Sequence, residues 1–151
     1  MIQSAKDCGA DYVKFQKRDP DSCVPELQKN QPKSTPWGDM TYLQYKHKIE
    51  FGLNEYNIID KFCQDIGIGW FVSIWDLYSL EFMHKNFKND ITKIPSAKAT
   101  ELDLIKNAKD MYNKIIVSTG MTTRTEISNI CNVFEKHVDK NKLVLMHTVS
   151  S

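Results

Sequence analysis

Five short runs rich in branched and aromatic residues, at positions 11–16, 68–74, 91–94, 114–119 and 142–148, alternate with stretches whose apolar residues recur at helical spacing. Strands separated by helix-length connections pair in parallel, because an antiparallel neighbour needs only a tight turn. The pattern therefore predicts an α/β fold, either a doubly wound sheet or part of an eight-stranded β/α barrel. A whole barrel takes about 250 residues, whereas this chain has 151, so a barrel reading makes it a single domain, 1–151, incomplete at both ends.

The elements follow from local signals. Gly9 reads as the stop of a helix that opens the chain, and Gly67 closes a helix running through Leu53, Tyr56, Ile59, Phe62, Cys63 and Ile66, which follows an earlier one with Tyr42, Tyr45 and Ile49. Asp76 is placed to cap a helix reaching about residue 85, and another starts at 100–103. Thr123-Arg-Thr-Glu126 is a capping box for a helix burying Ile127, Ile130, Cys131, Phe134 and Val138. Residues 17–40 hold Pro20, Pro25, Pro32, Pro36 and Gly38 and read as a long irregular loop.

Charge and composition exclude several functions. A net charge of +1 gives no general field for nucleic acid or anionic membrane, and no apolar stretch approaches membrane-spanning length. The N-terminal residues lack the organisation of a secretory signal, which points to a cytoplasmic setting. Cys8, Cys23, Cys63 and Cys131 show no CxxC spacing and are expected to be reduced and mostly buried. The four histidines form no HExxH or HxxxH pair, so no metal site is expected within this chain.

In parallel α/β folds ligands bind at the C-terminal ends of the strands. Lys14 interrupts the run Tyr12-Val-Lys-Phe15, Gln16 shares its face by alternation, and Lys93 interrupts Ile91-Thr-Lys-Ile94, with Ser96 just beyond. A lysine within a buried strand is costly unless an anion or carboxylate meets it. With Ser96 and Ser118 as hydroxyl donors, the two lysines make a pocket for a phosphate or carboxylate; the alternative is that they snorkel or pair with acidic residues. Ser118-Thr-Gly-Met121 is either an ordinary strand-to-helix turn or an anion site at a helix N-terminus. His147 reads as a hydrogen-bonded structural histidine, and Trp37, Trp70 and Trp75 as packing residues.

Six ordered blocks carry a family likeness: Gly9-Ala-Asp-Tyr-Val-Lys-Phe-Gln16, Pro36-Trp-Gly-Asp-Met-Thr-Tyr42, Trp70-Phe-Val-Ser-Ile-Trp-Asp76, Lys93-Ile-Pro-Ser96, Ile115-Ile-Val-Ser-Thr-Gly-Met121 and Leu145-Met-His-Thr-Val-Ser-Ser151. Together they resemble the N-acetylneuraminate (sialic acid) synthase family over essentially the whole chain. The resemblance implies a β/α barrel, here about strands two to six, that condenses phosphoenolpyruvate with an N-acetylated hexosamine such as N-acetylmannosamine, using a divalent metal, Mn2+ or Mg2+.

By the same resemblance Lys14, Lys93, Ser96 and Ser118 are phosphoenolpyruvate-binding residues and Gln16 contacts the sugar. Ile74 stands where many members have a phosphate-binding threonine, which leaves Ser73 as the substitute hydroxyl, and Ser150 stands where some have a sugar-binding asparagine. The family's catalytic glutamate corresponds to a segment before Met1, and its metal-binding histidines to segments after Ser151. The likeness thus implies a barrel fragment, inactive alone, that self-associates or needs a partner supplying the missing strands. The alternatives are a non-catalytic remnant or assembly partner keeping an anion site, and a related pseudaminic or legionaminic acid synthase.

Overall fold

The computed structural model describes residues 1–135 and 139–149. Ser150, a candidate sugar contact, and Val138, a candidate core residue, lie outside the described residues. The main sheet has five parallel strands, β1 (Tyr12–Lys17), β4 (Gly69–Ile74), β5 (Ile91–Ile94), β6 (Lys114–Ser118) and β7 (Leu143–Met146). They sit within a residue or two of the five sequence runs. Their spatial order equals their order in the chain. A doubly wound sheet would reverse direction at a switch point; this one never does, so the crossovers stack on one side and the sheet is part of a barrel.

The helices behind it are α5 (Leu53–Ile66), α6 (Leu77–Asn86), α7 (Leu102–Met111) and α8 (Arg124–Val133). Alternation along each strand sends Trp70, Val72, Ile74, Ile94, Ile115 and Val117 into one buried cluster with Tyr56, Leu80, Leu104, Ile105 and Ile130 from these helices. Residues of the opposite parity, Lys14, Gln16, Phe71, Ser73, Lys93, Ile116 and Ser118, share the other face, which would line a barrel's interior.

Local signals act as their chemistry requires. Thr123 Oγ1 accepts from Glu126 N and Glu126 Oε2 from Thr123 N, at 3.3 and 2.7 Å. Asp76 caps α6 by accepting from Ser79 N at 2.7 Å. Gly67 ends α5 at φ +67°, in the left-handed region. A Cβ there is strained by about 1–2 kcal/mol, so Gly67→Ala is expected to lower the unfolding free energy by about that amount in a denaturant titration and to leave ligand binding unchanged.

The 17–40 segment is not an irregular loop. It holds two one-turn helices, α2 (Pro20–Cys23) and α3 (Glu26–Lys29), and an antiparallel hairpin, β2 (Pro32–Thr35) with β3 (Gly38–Thr41), followed by α4 (Tyr42–Ile49). The four prolines occupy positions that need no N–H: Pro20 opens α2, Pro25 caps α3, Pro32 begins β2, and Pro36 lies in the turn. Thr35 Oγ1 fastens that turn, donating to Gly38 O at 2.7 Å and accepting from Trp37 N at 3.1 Å. Trp37 is exposed rather than packed, with Lys48 Nζ 5.3 Å from its ring centre.

The cysteines also depart from expectation. All are free, but only Cys63 is buried; Cys8 and Cys131 are exposed and Cys23 is half-buried. Cys131 misses the core because α8 turns Ile130 and Phe134 inward instead. Ile127 is only partly buried.

Candidate functional site

Register assembles the site from adjacent strands. Gln16 pairs with Ser73 and Ser73 with Lys93, so these three stand in one row on the inner face of β1, β4 and β5. Lys14 is one step nearer the N-terminal end on the same face, paired with Phe71. Ser118 is one step nearer the mouth, at the last position of β6.

Lys17 shows what a structural lysine looks like in this sheet. It faces the helices, is buried, donates from Nζ to Phe51 O at 2.8 Å and lies 5.3 Å from the Phe82 ring centre. Lys14 and Lys93 have nothing comparable: among the described residues neither makes a side-chain hydrogen bond or an ion pair. Pairing with acidic residues is therefore not met among the described residues, whereas Lys14 is exposed, as the snorkelling alternative has it, and Lys93 is half-buried. Burial lowers the pKa of Lys93 below the ordinary lysine range, and the positive charge of Lys14 lowers it further. Lys93 thus sits near a second positive charge with no carboxylate partner among the described residues.

A depressed lysine pKa destabilises the fold. Between the lowered value and the ordinary one the unfolded chain binds more protons, so stability rises with pH through that window. Lys93→Met is expected to melt higher than the parent at neutral pH, with the difference narrowing as pH rises toward the ordinary lysine range. Equal melting curves at neutral pH would contradict the strain assigned to this lysine.

Hydroxyls hold the mouth together. Ser96 opens a 3-10 turn (Ser96–Lys98) after β5, and its Oγ accepts from Gly120 N at 3.0 Å and meets Thr148 Oγ1 at 3.2 Å. Thr119 donates twice to Met146 O, from N at 3.1 Å and from Oγ1 at 3.0 Å. Met121 then turns the chain at φ +62°, unusual for a residue with a side chain. These contacts fix the 118–121 loop against the ends of β5 and β7. Ser118 and Ser73 are buried and make no side-chain hydrogen bond among the described residues. The Glu126 carboxylate already occupies the α8 capping box, so a second anion at that helix end would meet a like charge.

Several neighbours were not legible beforehand. Arg18, beyond β1, forms an ion pair with Glu50 and lies 6.0 Å from the Trp75 ring centre. The Trp75 indole Nε1 is buried without a hydrogen-bond partner among the described residues. Asp76, besides capping α6, accepts from Asp19 N at 2.7 Å and from Cys23 Sγ at 3.3 Å. Burial and this carboxylate push the Cys23 thiol up to about 11, which makes it a poor nucleophile. His147 is exposed and has no side-chain partner among the described residues, contrary to the structural role expected of it. No group of three His, Cys, Asp or Glu among the described residues is arranged to hold a metal ion, so these residues do not fit the divalent metal that the likeness implied.

The sequence pattern of the NeuB family matches residues 1–151, the whole chain. The chain belongs to the NeuB family. It is 31% identical over 150 residues to an N,N'-diacetyllegionaminic acid synthase of Campylobacter jejuni, covering 97% of this chain and 45% of that protein. It is 31% identical over 153 residues to an N-acetylneuraminate-9-phosphate synthase of Drosophila melanogaster, covering 100% and 40%. The crystal structure of a sialic acid synthetase from Leptospira borgpetersenii, in complex with citrate, superposes with a TM-score of 0.83 at 25% identity, covering all of this chain and 48% of that one. As a NeuB-family chain it spans less than half the length of these relatives, and its five strands are a section of their barrel. No described helix is long and apolar enough to cross a membrane.

Proposed function

We propose that this chain carries the phosphoenolpyruvate-binding wall of a nonulosonic acid synthase, an enzyme joining phosphoenolpyruvate to an N-acylated hexosamine. One observation carries the reading: Lys14 and Lys93 share the inner face without a carboxylate partner among the described residues, close enough for one to depress the pKa of the other. Such a pair suits an anion of at least two charges. Lys14 and Lys93 bind the phosphate and carboxylate, and the Ser96 and Ser118 hydroxyls add donors. Ser73, on the inner face beside Lys93, substitutes for the hydroxyl absent at Ile74, whose side chain is fully buried toward the helices.

Gln16, one strand over from Ser73, reaches toward the acceptor sugar, and Ser150 is assigned the same task. The names of the relatives span legionaminic, sialic and pseudaminic acid synthases, so the acceptor is assigned only as an N-acylhexosamine. In the reaction these residues hold the enol's charged groups while its methylene carbon attacks the sugar's carbonyl, and they retain the phosphate as water releases it. A divalent metal, which in this family would polarise that carbonyl, is not assigned to any described residue. The free cysteines suit the reducing interior of a cell.

The described inner face furnishes binding groups and no general base. The 151-residue chain, given phosphoenolpyruvate, N-acetylmannosamine and Mn2+, is therefore expected to bind the first and to release no phosphate. Phosphate release that disappears in Lys93→Ala would show instead that the chain assembles a complete site. Failure of phosphoenolpyruvate to bind at all would favour an assembly module that has lost the substrate.

A further inference from the structure

The hydroxyls at the ends of β5 and β7 form a chain whose direction follows from the valences of Ser96. A serine hydroxyl has one proton to give and two lone pairs to fill. One lone pair of Ser96 Oγ takes the Gly120 N–H at 3.0 Å. Its other protein contact is Thr148 Oγ1 at 3.2 Å, where either oxygen is placed to donate. With Ser96 as donor, its remaining lone pair would face the mouth, and an anion drawn there by Lys14 and Lys93 would be repelled by it. With Thr148 as donor, both lone pairs of Ser96 are filled and its proton is left for a ligand.

We infer that Thr148 is a positioning residue: its hydroxyl donates to Ser96 Oγ and so commits the Ser96 proton to an oxygen of the bound anion. The inference rests on the phosphoenolpyruvate reading given above. Thr148 is well placed for this task. It lies two residues past β7, whose end is registered to β6 by the Ser118–Met146 pairing and held by both Thr119 donors on Met146 O. A donor that is itself hydrogen-bonded is polarised, which strengthens its bond to an anion. The relay Thr148 to Ser96 to ligand thus links the ends of three adjacent strands, with Gly120 of the β6 loop as its fixed backbone donor.

The test is calorimetric titration of phosphoenolpyruvate into the complex of the chain with a polypeptide carrying the complementary strands of a NeuB-family barrel, and into the same complex made with Thr148→Val, Thr148→Ser, Ser96→Ala and the Ser96→Ala/Thr148→Val double variant. Valine keeps the branched shape without the hydroxyl, and serine keeps the hydroxyl. Thr148→Val is expected to weaken binding about tenfold, the scale of one hydrogen bond to a charged group, and Thr148→Ser to bind within about twofold of the parent. The double variant is expected to bind no more weakly than Ser96→Ala, because Thr148 acts only through Ser96. Parent-like binding by Thr148→Val, or losses that multiply in the double variant, would overturn the inference. Should Thr148→Val fail to fold by circular dichroism, Thr148→Ala takes its place in the cycle under the same criteria. Lys93→Ala separates the two levels. If it abolishes binding while Thr148→Val changes nothing, only the relay is wrong; if it binds like the parent, the anion pocket fails and the relay with it.

Discussion

Lys93→Ala and Lys14→Ala are each expected to weaken phosphoenolpyruvate binding by tens-fold or more. Removing one partner of a desolvated charged contact costs about 2–5 kcal/mol, and these lysines have no protein partner among the described residues to compensate the change. Lys61→Ala is the matched control. Its ammonium is exposed on α5 and pairs with Asp65 at 3.2 Å, an i,i+4 surface bridge worth a few tenths of a kcal/mol. It should leave the titration unchanged. Lys17→Met is the sharper comparison, since Lys17 shares β1 with Lys14 but faces the helices. It should lower stability, by orphaning the Phe51 carbonyl, with little effect on affinity. Equal small losses at positions 14, 93 and 61 would sink the assignment.

The second large effect concerns assembly. β1 and β7 are the outer strands of the sheet, each hydrogen-bonded to one neighbour. Neither carries proline; β7 carries no charge at all and β1 only Lys14 and the inward-buried Lys17, and both show apolar side chains to solvent, Tyr12 at 51% and Met146 at 44% exposure. The inner face, which a closed barrel fills with layers of side chains from all its strands, is open here as well. Expressed by itself, the 151-residue chain is expected to elute in light-scattering chromatography as species larger than 17.5 kDa. Adding a polypeptide that carries the complementary strands of a NeuB-family barrel should convert these to a defined complex with a single cooperative unfolding transition. A monodisperse monomer that melts sharply would show that the sheet closes its edges in another way.

Much of this architecture is legible in the sequence because it is written locally. The five strands are short runs dense in branched and aromatic residues, Gly67 and the Thr123 box mark helix ends, and two lysines interrupt otherwise apolar strands. The hairpin escaped because β2 and β3 are four residues each and mostly polar, so no alternation shows, and because its prolines sit where a strand tolerates them. The choice between barrel and doubly wound sheet also lay beyond local pattern. Both have the same alternation, and only the spatial order of the strands separates them.

The candidate site divides in the same way. Lys14 and Lys93 stand out by being charged within strands, whereas Ser96 reveals its partners, Gly120 and Thr148, only when three strand ends meet across long stretches of chain. The Arg18–Glu50 pair depends on how the 18–50 segment returns to the sheet, which no short-range signal encodes. Lys17, which the sequence leaves at the head of the 17–40 loop, is the last residue of β1, and strand parity sends it to the helices and Lys14 to the inner face.

The most direct measurement is a crystal structure of the assembled protein soaked with phosphoenolpyruvate. The account predicts density for the ligand on the inner face of β1, β4 and β5, with the Lys14 and Lys93 Nζ atoms both within hydrogen-bond distance of its oxygens and the Ser118 hydroxyl donating to it. A ligand bound elsewhere, or an inner face where both lysines are paired with carboxylates and no ligand enters, would contradict it.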